Sequence, residues 1–200
     1  MNNIMISGPD GTGKSTIINR LYNVVGYEVV WLRFNHYLAK GMNGIGRLFG
    51  KSYREEYSWG VVGYHDYQGV FGVLYVYAVF IDQHIFRILF KNKKLNKQND
   101  YLIDRYIVDV IADLIVDTQS TALVFKLFER QLKKELTQSR CFILKCDPLI
   151  VFSRRPDVSD DRKYLDKVSA YECIAARYNI EVIDTGTNEV DWIVQKILDK

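Results

Sequence analysis

The sequence predicts an α/β fold of three layers, a five-stranded parallel sheet with helices on both faces. Three observations predict it. Short apolar or β-branched runs alternate with helical spacings along the whole chain, the pattern of a parallel sheet covered on both sides. The first run ends in a glycine-rich turn that opens a helix. The chain has 200 residues, enough for one domain, residues 1–200, with a sizeable core.

The elements follow in order. Ile4-Met5-Ile6 reads as a short buried strand ending in Ser7-Gly8. Lys14 to Val25 places Ile17, Ile18, Leu21 and Val25 at helical spacing. Glu28 to Phe34 is β-branched and aromatic, hence a second strand. Asn35 to Ser58 is glycine-rich and reads as an irregular connection holding short helices. Asp66 to Phe90 reads as a long, largely buried helix, and Lys91 to Asp100 as a polar, solvated connection. Tyr101 to Asp104 is a third strand, followed by helices around Val108 to Val116 and Thr121 to Leu136. Cys141 to Lys145 is a fourth strand, and Pro148 to Ser153 begins the next helix. Tyr164 to Tyr178 is helical, Glu181 to Asp184 a fifth strand, and Val190 to Leu198 a final helix.

Composition narrows the function classes. Lys plus Arg exceeds Asp plus Glu by 3, too small an excess to argue for nucleic acid as a partner. The N-terminus lacks the basic region, apolar run and cleavage site of a secretory signal. The apolar stretch Gly69 to Ile81 is stopped by Asp82-Gln83-His84 and reads as too short to span a membrane. Cys141, Cys146 and Cys173 show no CxxC spacing and read as buried thiols of a reducing, cytoplasmic compartment. His36, His65 and His84 are too scattered for a metal cluster.

The strongest motif is Gly8-Pro9-Asp10-Gly11-Thr12-Gly13-Lys14-Ser15, with Thr16 behind it. It matches GxxxxGK[ST], and it lies where that pattern has a mechanism, after a strand and opening a helix. Glycines let successive N–H groups converge on one concavity, which together with the helix N-terminus holds phosphate oxygens. Lys14 is expected to reach the β- and γ-phosphates of ATP, and the Ser15 hydroxyl to bind Mg²⁺. The fold is then a three-layer P-loop NTPase fold. The motif does not by itself separate a kinase from another NTPase.

Further blocks carry a resemblance. GPDGTGKST is followed by Asp104-Arg105-Tyr106 at the end of the third strand, then by Arg154-Arg155-Pro156 and Arg162, then by YLDKVSAYECIA with Val168 and Tyr171. In this order the chain resembles the thymidylate kinase family of nucleoside monophosphate kinases. The resemblance implies ATP-dependent phosphoryl transfer to a nucleoside monophosphate, with thymidylate the default acceptor and ATP and Mg²⁺ as cofactors; the charge balance and the interrupted apolar stretch already argue against a nucleic-acid or membrane partner. It implies that Asp104 helps organise Mg²⁺ and its water, and that Arg105 touches the transferring group. It implies a mobile LID around residues 153–163, with Arg154, Arg155 and Arg162 bringing to the phosphates a charge that some members place where this chain has Gly11. Asp10 would meet the acceptor's sugar hydroxyl, and Tyr106 either touches ligand or fills a core edge. Family members commonly dimerise through helices of the 69–90 region, so a homodimer is expected. Asp184-Thr185-Gly186-Thr187 resembles the family's adenine-side loop.

The pattern departs from the family on the acceptor side. Only Arg33 remains of an Arg-Glu-Pro-Gly run, as a candidate clamp on the acceptor phosphate. The arginine that meets the base has no counterpart, since Ile81 or its neighbours occupy its place. Asp109, Asp113 and Asp117 share one helix face. They are either a solvated face or, in the case of Asp109 and Asp113, a wall of the acceptor pocket binding hydroxyl or amine groups. Carboxylates there would repel an acceptor phosphate. The alternatives are a P-loop kinase acting on another nucleotide, a nucleoside or a small phosphorylated acceptor, and a nucleotide-binding protein without transfer activity.

Overall fold

The computed structural model describes residues 3–32, 37–91 and 99–200. Five parallel strands form the central sheet: β1 (Asn3–Ser7), β2 (Glu28–Trp31), β5 (Tyr101–Asp104), β6 (Ser139–Lys145) and β7 (Glu181–Asp184), in the order β2-β5-β1-β6-β7. Strand β1 lies at the centre, pairing with β5 through Ile6 and Asp104 and with β6 through Ser7 and Ile143. Its residues are buried throughout, and alternation along it divides the core in two. Ile4 and Ile6 face one side, where α1 (Lys14–Val25) and α9 (Val190–Leu198) contribute Ile17, Ile18, Leu21, Ile193 and Ile197. Met5 faces the other side. It packs there with residues of α3 (Gly69–Phe86), α4 (Ile107–Thr118), α5 (Thr121–Gln138) and α8 (Tyr164–Tyr178). Each fully buried aliphatic side chain contributes roughly 1.5–3 kcal/mol, so these two faces hold the sheet rigid behind the site.

Most expected elements are present to within a few residues. Helix α8 and strands β5 and β7 have the expected bounds. Strand β2 is shorter than expected: Leu32 follows it as a buried core residue, and Arg33 and Phe34 lie outside the described residues. Most of the polar connection after α3, residues 92–98, lies outside them too.

The 35–58 region is not the irregular connection that its glycines suggested. Its described part forms helix α2 (Tyr37–Leu48) and then an antiparallel hairpin, β3 (Ser52–Tyr57) and β4 (Gly60–His65), separate from the main sheet. Helix α3 starts later than expected and continues into a π-helical turn, Arg87–Lys91. Read as a whole, 69–89 is long and apolar enough to cross a membrane, which corrects the reading from the shorter apolar stretch. Its inner face is nonetheless bound into the core through Tyr75, Val76, Val79 and Phe86. Asp82 on that face is 1% exposed and accepts the backbone N–H groups of Leu38 and Ala39 at 3.1 and 3.0 Å, capping α2 from outside its own chain segment.

Candidate active site

The phosphate loop runs between the carboxyl end of β1 and the start of α1. Gly8 is at φ 143°, and a Cβ there would lie 2.4 Å from the Leu144 carbonyl oxygen on β6. Gly11 is at φ 80°, and its Cβ would lie 2.4 Å from Val151 Cγ1 in α6 (Pro148–Arg154). Both positions therefore demand glycine, for space as well as backbone conformation. The Thr12 hydroxyl donates to the Pro9 carbonyl at 2.9 Å, and the Thr12 carbonyl accepts from the Thr185 hydroxyl at 2.9 Å. The second bond fastens the loop to the turn after β7, the segment that resembled an adenine-side loop.

Lys14 is 6% exposed, and its ammonium donates to the carbonyls of Gly8 and Pro9. Burial first and then the Arg105 charge, against the opposing pull of Asp10, bring its pKa down to about 8. Gly13, Ser15 and Thr16 are exposed at the head of α1.

Beside the loop, β5 ends in Asp104. One carboxylate oxygen, Oδ1, is buried without a hydrogen-bond partner, a costly arrangement unless something charged completes it. Burial raises the Asp104 pKa, against the pull of Arg105 and Lys14. An orphaned hard oxygen next to a phosphate loop, with the Ser15 hydroxyl exposed nearby in sequence order, fits Mg²⁺. That ion takes one or two protein oxygens and completes its shell from water and phosphate. Among the described residues no group of three or more His, Cys, Asp or Glu could hold a metal by itself.

Arg105 adopts φ 57°, in the left-handed region that a non-glycine residue rarely enters. Its N–H donates to the Ile6 carbonyl at 3.2 Å, and its guanidinium is paired with the Asp10 carboxylate. At Asp10, burial would raise the pKa. Arg105 and then Lys14 outweigh it, and the carboxyl sits below its usual range.

Two expected ligand contacts are corrected. Tyr106 is fully buried and belongs to the core cluster under α4, not to the pocket. Asp109 is 1% exposed and its carboxylate accepts three hydrogen bonds: from the Ser7 hydroxyl at 2.8 Å, the Tyr106 N–H at 2.9 Å and the Tyr171 hydroxyl at 2.8 Å. It joins the end of β1, the start of α4 and α8 immediately behind Arg105. Tyr171 as the partner of Asp109 was not legible beyond its place in the Val-x-x-Tyr pattern.

The other two acids of that helix face line a cavity of about 450 Å³. Asp113, Asp117 and Val110 of α4 form one wall. Tyr64 and His65 of β4, Tyr75 and Trp31, and Asp161, Lys163 and Lys167 complete the lining. Burial raises the Asp117 pKa to about 7, although Lys163 at 3.1 Å pulls the other way. Lys167 lines the same cavity. Burial opposes its charge, but Asp161 at 2.6 Å, with Asp113 and Asp10 adding, raises its pKa.

The LID arginines separate. Arg154 is exposed at the end of α6. Arg155 forms a fork with Asp157 of α7 (Pro156–Ser159), at 2.8 Å through Nε and 2.5 Å through a terminal nitrogen. Arg162 does not reach toward the phosphate loop. It lies against the hairpin, 3.1 Å from Glu55 and 4.4 Å above the Tyr64 ring. Of the three thiols expected to be buried, Cys146 is buried, Cys141 is half-buried and Cys173 is exposed. All three cysteines are free.

Sheet order, phosphate loop and the Asp104-Arg105 corner together define a P-loop kinase fold, a central parallel sheet with helices around it. Comparison with solved structures narrows it to the thymidylate kinase-like form. The chain matches thymidylate kinase from Candida albicans with a TM-score of 0.59 at 16% identity, over 99% of this chain and 89% of that one. It matches thymidylate kinase from Ehrlichia chaffeensis with a TM-score of 0.53 at 15% identity, over 98% of both chains. No family model matches the sequence, and no curated protein matches it.

Proposed function

We propose that this protein is an ATP-dependent phosphotransferase acting on a nucleoside monophosphate, with thymidylate the first acceptor to test. The observation that carries this reading is the junction of two spaces. The phosphate loop has Arg105 paired to its Asp10, and α4, which starts at Ile107 directly after that corner, carries Asp113 and Asp117 into the lining of a cavity of about 450 Å³ suited to a small acceptor. Thymidylate kinases of the same fold support the choice of acceptor class.

The residues divide the work as follows. Backbone N–H groups of 8–15 and the N-terminus of α1 hold phosphate oxygens. Lys14 turns from the Gly8 and Pro9 carbonyls to the terminal phosphates. Arg105, aimed by Asp10, stabilises negative charge as the γ-phosphoryl group of ATP passes to an acceptor oxygen and ADP leaves, a reaction dominated by positioning and electrostatics. Ser15 and Asp104 would hold Mg²⁺, which neutralises phosphate charge. Arg154 and Arg155 are the LID residues left to approach the phosphates. The free thiols fit a reducing cytoplasm.

Asp113 and Asp117 favour a second reading, in which the group entering the cavity is uncharged and presents hydroxyl or amine donors, as a nucleoside or hydroxylated metabolite does. ADP release from ATP and Mg²⁺, measured against nucleoside monophosphates and nucleosides in parallel, separates the two. Turnover with thymidylate supports the first reading. Turnover with nucleosides alone supports the second, and no turnover with any acceptor contradicts both.

A further inference from the structure

The hairpin β3–β4 stands outside the main sheet, yet its inner residues Val62, Gly63, Tyr64 and His65 wall the cavity opposite α4. Three contacts fix it to the segment 160–163. The Trp59 indole N–H donates to Asp160 at 2.7 Å, and the Trp59 ring stacks on Tyr57 with centroids 5.3 Å apart. Arg162 lies over the Tyr53 and Tyr64 rings at 4.9 and 4.4 Å while pairing with Glu55 at 3.1 Å. Lys163, 11% exposed, bridges Asp66 at the base of the hairpin (2.9 Å) and Asp117 on α4 (3.1 Å), and also donates to the His65 carbonyl.

The other end of this segment reaches the phosphate loop. Helix α7 precedes residues 160–163, α6 precedes α7, and α6 presents Val151 against Gly11 so closely that a Cβ would clash. A continuous series of packed groups therefore runs from the phosphate loop through Val151 and 160–163 to the hairpin and the cavity wall.

We propose that the hairpin is an acceptor-enclosing arm, fixed by Trp59, Arg162 and Lys163 to the segment 160–163, so that nucleotide at the phosphate loop and closure of the acceptor cavity are coupled. This rests on the kinase reading above. Nucleotide that holds α6 and α7 against the loop also holds 160–163 against the hairpin. By reciprocity an acceptor under the hairpin tightens nucleotide binding. Arg162, expected at the phosphates, serves the acceptor side instead, and Tyr64 and His65 become residues that select the acceptor by shape.

The test is hydrogen–deuterium exchange of the full chain with and without Mg²⁺ and AMP-PNP, in the wild type and in Trp59→Phe/Arg162→Gln/Lys163→Gln. The Phe retains the ring stack but loses the donor to Asp160, and the two Gln substitutions remove the cations that hold Glu55, Asp66 and the Tyr53 and Tyr64 rings. In the wild type, amides of both 8–15 and 52–65 are expected to slow with nucleotide, those of the hairpin about tenfold, the factor that corresponds to ~1.4 kcal/mol. In the triple variant 8–15 still slows and 52–65 does not. Slowing at 8–15 with an indifferent wild-type hairpin overturns the coupling alone. So does a variant whose hairpin still slows. A phosphate loop indifferent to AMP-PNP overturns the kinase reading and this inference with it.

Discussion

Arg105 is paired with Asp10, an acid contributed by the phosphate loop itself, across the opening of that loop. The pair is asymmetric in exposure: the Arg105 side chain is 20% exposed and Asp10 is 50%. Asp10 thus directs a guanidinium that the left-handed backbone at residue 105 has already turned toward the loop.

Two substitutions separate aim from charge. Arg105→Lys keeps the charge but loses the planar fork, and kcat is expected to fall about 10²-fold, as for loss of one transition-state donor. Asp10→Asn leaves the guanidinium present but unheld, and a smaller loss, about tenfold in kcat, is expected. Steady-state kinetics with ATP and the acceptor varied in turn checks both. Equal kcat for Arg105→Lys and wild type would remove Arg105 from the chemistry.

Lys14 carries a pH signature. Its folded pKa is about 8 against an ordinary 10.5, so between those values the unfolded chain holds a proton that the folded chain has released. Its contribution to stability therefore rises with pH across that window, and below pH 8 its buried charge is a constant cost. Phosphates restore the charge, so nucleotide binding takes up a proton between about pH 8 and 10 and weakens as pH rises there. Calorimetry with Mg²⁺ and AMP-PNP in two buffers of different ionisation enthalpy reads the uptake directly. Lys14→Met should abolish the proton uptake and lower transfer at least 10³-fold, beyond the loss of a single neutral donor.

Asp109 and Asp113 are one helical turn apart and are expected to fail in different ways. Tyr171→Phe removes one of the three donors to the buried Asp109 carboxylate and should cost about 1.5–3 kcal/mol. That is a fall in Tm of several degrees, roughly 2–4 °C for each kcal/mol, with acceptor KM unchanged. Asp113→Ala, on the cavity wall, should alter acceptor KM and lower Tm by less than Tyr171→Phe does. Thermal melts beside acceptor titrations decide the matter, and the reverse pattern would return Asp109 to the pocket.

The difference between these two acids shows where sequence reading ran out. Periodicity placed 109, 113 and 117 on one face of one helix, and they are. It carried no information on depth: that face runs from the core under Ser7 and Tyr171 out to the cavity, so its first acid is structural and the next two line the pocket. The main sheet and phosphate loop were legible because each signal is local, a β-branched run or a glycine turn. The hairpin was not, because glycines at 41, 44, 46 and 50 suggested irregularity throughout 35–58. Its strands also carry Arg54, Glu55 and Glu56 among the aromatics, so no apolar alternation marks them. The turn Ser58-Trp59-Gly60 between Tyr57 and Val61 was the available clue. Arg162 was assigned to the phosphates by its place in the LID, and its aromatic and acidic partners come from a hairpin about a hundred residues earlier, a pairing that only the fold reveals.

The outer face of α3 bears on assembly. Val70, Val73, Leu74, Tyr77, Ile81, Ile85 and Ile88 are all exposed, and their spacing aligns them in one stripe along the helix. The inner face is fixed in the core through Asp82 and its two backbone donors from α2, so this side alone is open to a partner. The stripe includes His84 but no Asp, Glu, Lys or Arg, and two copies related by a twofold axis would bury it with α3 against α3. A homodimer is expected by light scattering after gel filtration. Leu74→Glu/Ile81→Glu places like charges along the proposed seam and should give a monomer with an unchanged melting cooperativity, since neither side chain supports the core. Retention of the dimer in that variant would move the interface elsewhere. A wild-type monomer that floats with lipid vesicles would instead assign the stripe to a membrane surface.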